Sequence, residues 1–108
     1  MKNTMNEAAR YKVMVDDNFH YMEEDERYQH GVFLTAEEAI AACKRIVDEY
    51  FESCFKPGMT AIELYDSYTS FGSDPFVVPI SSADERVVFS AWDYAKERSQ
   101  VVTSHGKA

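Results

Sequence analysis

One stretch dominates what this chain can fold into: Ala36, Ala39, Ile40, Cys43, Ile46, Val47, Tyr50, Phe51 and Cys54 recur at intervals of three and four residues. That spacing predicts an amphipathic helix of about five turns, with Glu37, Glu38, Lys44, Arg45, Asp48, Glu49 and Glu52 facing water. Thr35 with Glu38 forms a capping box at its start, and Lys56-Pro57-Gly58 ends it. In a chain of 108 residues, an apolar stripe of that length must be buried against most of whatever else folds. One core and one domain follow.

The partners of that stripe are short. Tyr11, Val13 and Val15 alternate with polar neighbours and predict a strand, which Asp16-Asp17-Asn18 interrupts. A second strand is predicted around His30 to Leu34. Thr60 with Glu63 repeats the capping box, and Leu64, Tyr65, Tyr68 and Phe71 give a shorter helical stripe with Gly72 at the stop position. Phe76-Val77-Val78-Pro79-Ile80 reads as a strand that Pro79 confines to an edge or an end. Arg86-Val87-Val88-Phe89 reads as a fourth strand, in a hairpin with the third. Ser90 and Asp93 cap a last helix through Trp92, Tyr94 and Ala95 to about Arg98. Residues 1–10 read as a flexible arm, 11–99 as a single α+β domain and 100–108 as a flexible tail. The expected architecture is a two-layer sandwich, an antiparallel sheet of about four strands with helices on one face, in the order β-β-α-α-β-β-α.

Composition narrows the function. Nineteen acidic against eleven basic residues give a net charge of −8, which argues against nucleic acid and against an anionic membrane surface, both of which are bound through Lys and Arg. A basic protein partner suits that charge better. Cys43 and Cys54 lie about 16 Å apart along the helix axis, too far for a disulfide, and free thiols on an apolar face fit a reducing cytoplasm. The N-terminus carries no apolar signal core and no window reaches membrane-span length.

The charge is concentrated. Asp16, Asp17, Glu23, Glu24, Asp25 and Glu26 crowd into residues 16–26 with no Lys or Arg among them, and Phe19, His20, Tyr21 and Met22 sit in the same segment. A connection this long between two strands is either a solvated hairpin tip or a recognition loop offering carboxylates and rings to a basic partner. Trp92 is either a core anchor for the last helix or an interface anchor. An alternative reading is a small-ligand or metal site built from His20, His30 and nearby carboxylates. The segment starting at Asp16 lacks the glycine and the final glutamate of an EF-hand loop. No nucleophile elbow, glycine-rich phosphate loop or paired-cysteine motif occurs, and the residues call for neither an enzyme nor a cofactor. Pro79 at an edge strand, with exposed rings nearby, would also admit a homodimer.

Several segments together have a familiar cast: Tyr11 to Asn18 continued through Phe19-His20-Tyr21-Met22, Thr35-Ala36-Glu37-Glu38-Ala39-Ile40, Lys56-Pro57-Gly58-Met59-Thr60, Gly72-Ser73-Asp74-Pro75-Phe76 and Phe89-Ser90-Ala91-Trp92-Asp93-Tyr94-Ala95. They resemble a group of small, uncharacterised bacterial cytosolic proteins of about this length, across most of residues 11–98. The resemblance implies a compact cytosolic domain and brings no activity, cofactor or site residues with it.

Overall fold

The structure is a computed structural model and describes residues 9–18, 27–81 and 86–105. Within these, the order is β1 (Tyr11–Asp17), β2 (Tyr28–Phe33), α1 (Ala36–Cys54), α2 (Ala61–Phe71), β3 (Ser73–Pro79) and α3 (Ala91–His105). The sheet is antiparallel with β1 in the centre, in the order β2-β1-β3. The α+β class stands, with three strands rather than four among the described residues.

Alternation along β1 buries Tyr11, Val13 and Val15 while Lys12, Met14 and Asp16 stay half-buried. The buried three join Val77 of β3 and Ala39 and Cys43 of α1 in one cluster. Farther along α1 the same stripe continues as Val47 and Phe51, which pack with Leu64 and Tyr68 of α2 and Ala91 and Ala95 of α3. The long helix therefore spans both halves of the core, as its apolar face requires.

Both capping boxes are formed. The Thr35 hydroxyl accepts from the Glu38 amide at 3.1 Å, and the Glu38 carboxylate accepts from the Thr35 amide; Thr60 and Glu63 repeat the pattern. Gly58 turns the chain between the helices at φ 96°, a left-handed conformation that suits glycine. Gly72 caps α2 for a different reason. Its φ is −80°, which any residue adopts, but a Cβ there would lie 2.5 Å from Tyr68 Cδ1 and 2.8 Å from the Tyr68 carbonyl oxygen.

Three expectations are corrected. Residues 86–90 form no strand: Val87 and Phe89 lean on the core while Val88 is 91% exposed, and among the described residues β3 pairs only with β1. The second strand begins at Tyr28, and its register with β1 shifts between Val13 and Met14, so that His30 is the extra residue of a bulge. The last helix runs to His105 rather than ending near Arg98, taking in residues 100–105 that read as tail. Its hidden face there is polar, with Ser99 and Thr103 buried and their hydroxyls donating to the Lys96 and Ser99 carbonyls of the same helix. Asp48 of α1 straps α3 in place, accepting from the Tyr94 hydroxyl at 2.8 Å and pairing with Arg98 at 3.3 Å. No helix among the described residues is long and apolar enough to cross a membrane.

Candidate functional site

The end of β1, the start of β3 and the first turn of α3 meet at one corner, held by Asn18. This buried side chain donates to the Tyr68 carbonyl at 2.9 Å and accepts from Trp92 Nε1 at 3.2 Å, while its amide donates to the Gly72 carbonyl at 3.0 Å. The Tyr68 hydroxyl donates to the Ser73 carbonyl at 2.6 Å. One asparagine thus ties β1 to the C-terminus of α2 and to Trp92, and its amide group satisfies a helix-end carbonyl. Burial, together with the Asp74 charge, pushes the Tyr68 phenol far above its ordinary range, so it stays protonated.

Beside this knot opens a cleft of about 540 Å³, lined by Asp74, Phe76, Phe89, Ser90, Ala91, Trp92 and Asp93. The volume falls in the range of small-ligand pockets, roughly 300–1,000 Å³. Its walls combine three aromatic rings with two carboxylates, and none of the described residues lining it is basic. Ser90 is occupied as the cap of α3, where its hydroxyl accepts from the Asp93 amide at 3.2 Å.

Asp74 is the unusual group. It sits directly across from Asp16 in the β1–β3 ladder. Burial, and then the neighbouring Asp16 charge, raises its carboxyl from 3.8 to about 6. Asp16 has a cation of its own: Arg27 Nε lies 2.6 Å from Oδ1 and Arg27 Nη2 lies 3.2 Å from Oδ2. The same guanidinium stands 5.2 Å from the centre of the Phe76 ring, within cation–π range.

Of the residues singled out in the sequence, Asp16 and Trp92 belong to this corner, and Asp17 is paired in register with Ser73 beside it. Phe19, His20, Tyr21, Glu23, Glu24, Asp25 and Glu26 lie outside the described residues. The two residues that bracket them, Asn18 and Arg27, are both fixed at the corner. His30 is exposed on β2, on the far side of β1 from the strand that lines the cleft. Among the described residues no three His, Cys, Asp or Glu side chains come together as a metal site would require. Asn18, Asp74, Phe76 and Phe89 were not indicated by the sequence. Asp74 reads there as half of an Asp-Pro turn, and only the β1–β3 register sets it against Asp16.

The thiols are separated in character as well as in space. Cys43 is fully buried, and desolvation, followed by the Asp74 charge, pushes its thiol up to about 12. Cys54 is half-buried with Sγ 3.2 Å from Ser67 Oγ, which also meets the Tyr50 hydroxyl at 2.6 Å. Both cysteines are free.

The fold and the corner define a small α+β domain with an acidic, aromatic cleft at one end of its sheet. Comparison with protein families, with characterised proteins and with solved structures finds no match to the chain.

Proposed function

We propose that the chain is a non-enzymatic interaction protein that docks a basic protein partner at the corner formed by β1, β3 and the start of α3. The observation that carries this reading is Asp74, a carboxylate held half-buried beside a second carboxylate at the wall of an aromatic cleft. Such a group is unfavourable in the isolated domain, because burial and like charge both oppose its ionisation. A positive partner relieves both effects. Perturbed titratable groups in clefts are functional candidates for this reason.

The acidic run of residues 16–26 adds long-range attraction to a basic partner, and Asp16, Asn18 and Arg27, which bracket residues 19–26, are held at this corner. Its carboxylates steer encounter and the cleft holds the partner. Calorimetric titration with a basic polypeptide tests the reading. Binding is expected at low salt and should weaken steeply as salt rises. Replacing Glu23, Glu24 and Glu26 by Gln and Asp25 by Asn should slow association while leaving the melting temperature unchanged. A domain that binds no basic polypeptide at low salt overturns the proposal.

A further inference from the structure

We infer that the cleft receives a guanidinium, the arginine side chain of its basic protein partner, laid against Phe89 and Trp92 and paired with the carboxylates of Asp74 and Asp93. The inference rests on the interaction reading above and names the group that the partner must present.

Three features bear on which cation the cleft takes. The first is the wall chemistry. A guanidinium is planar and weakly hydrated, so it can lie on an aromatic face while its edge N–H groups reach carboxylates. An ammonium is a compact, strongly hydrated charge and loses more on entering a cleft with three rings. The second feature is size. About 540 Å³ accommodates a long side chain together with flanking backbone, and greatly exceeds the volume one or two ion-bound waters would occupy.

The third feature is Arg27. At the border of the cleft the protein already holds a guanidinium in this manner, forked onto Asp16 and stacked over Phe76. That arrangement engages Asp16, whereas Asp74, next to it across the ladder, lines the cleft. The cleft therefore extends an arginine-binding arrangement that the chain uses internally, with Asp74 in the role that Asp16 plays for Arg27.

The titratable and charged groups around Asp74 are Asp16 of β1 with its partner Arg27, Cys43 of α1, Tyr68 of α2 and Asp93 of α3, which lines the same cleft. Cys43 and Tyr68 are both held protonated by burial. Arginine binding should accordingly strengthen as pH rises through about 6, where Asp74 becomes charged.

Trp92 is the only tryptophan in the chain, so intrinsic fluorescence reports on the cleft directly. The probes are three blocked peptides that differ at one position, carrying arginine, lysine or citrulline, together with free arginine as a small-molecule control. The expected result is a saturable change with the arginine peptide, a several-fold weaker response with lysine, and none with citrulline. Free arginine, which carries its own carboxylate toward an acidic surface, should bind more weakly than the blocked peptide. Asp74→Asn should weaken the arginine peptide about tenfold at neutral pH, the loss of one charge-assisted bond, and should remove the pH dependence. An equal response to citrulline, tighter binding of free arginine, or unaltered arginine binding by Asp74→Asn overturns the assignment. If a basic polypeptide still binds while Trp92 stays silent, the guanidinium assignment falls and the interaction reading survives. If no basic polypeptide binds, both fall.

Discussion

Replacing Asp74 by Asn should make this protein more stable at neutral pH, and the size of the gain follows from the corner where Asp74 sits. Asparagine keeps the shape of the side chain and removes the charge that burial and Asp16 oppose. The rise of the Asp74 carboxyl from 3.8 to about 6 corresponds to about 3 kcal/mol against the ionised form. Solvent reaching the carboxylate through the cleft screens part of this and leaves about 2 kcal/mol. Because the folded-state value lies above the unfolded one, protonated Asp74 contributes its full stability below pH 3.8. That contribution is lost as pH rises through about 6. Asp74→Asn should therefore melt on the order of 10 °C higher than the natural chain at neutral pH, and the two curves should converge in acid below about pH 4. Thermal and urea unfolding across that range measures it. A variant no more stable at neutral pH, or a difference that persists unchanged in acid, would refute the account of Asp74 as a strained carboxylate.

Other substitutions probe the same corner and the core behind it. Trp92→Phe keeps an aromatic ring in the cleft but removes the donor to Asn18, and should lower stability in urea unfolding by about 1 kcal/mol. Gly72→Ala places a methyl group into Tyr68 and should destabilise by about 2 kcal/mol, with a change in the near-ultraviolet dichroism of the tyrosines. Thr60→Ala removes one half of a formed capping box and should cost about 1 kcal/mol, read from the denaturation midpoint. Alkylation of the native protein should modify Cys54 well before Cys43, because Cys43 is buried and its thiol is held protonated; mass spectrometry of the digested product distinguishes them.

The helices were legible in the sequence because their determinants are local. Thr35 with Glu38 and Thr60 with Glu63 satisfy their own helix starts, and the apolar stripe of α1 needs only some core to face. The strand at 86–89 failed because strand propensity is half of a strand. Val87, Val88 and Phe89 favour extended backbone, yet among the described residues no neighbour offers them a ladder, and the segment passes as a connection with Val88 in water. The end of α3 was hidden by polar residues: Ser99 and Thr103 bond back to their own helix, so they can be buried where periodicity looks for hydrocarbon. At the candidate site, Trp92 and Asp16 were visible as residue types. Asn18, Asp74 and Phe89 acquire their roles only through the β1–β3 register and the docking of α3, which no local pattern encodes.

The central claim is that the Asp74 corner is where a basic partner binds. The most direct measurement is an amide chemical-shift map of the isotopically labelled protein titrated with an arginine-rich peptide. The account predicts that the largest shifts fall on Asp74, Phe76, Phe89, Ala91, Trp92 and Asp93, together with the indole N–H that donates to Asn18. Shifts confined to β2 or to the outer faces of α1 and α2, with this set unmoved, would contradict it.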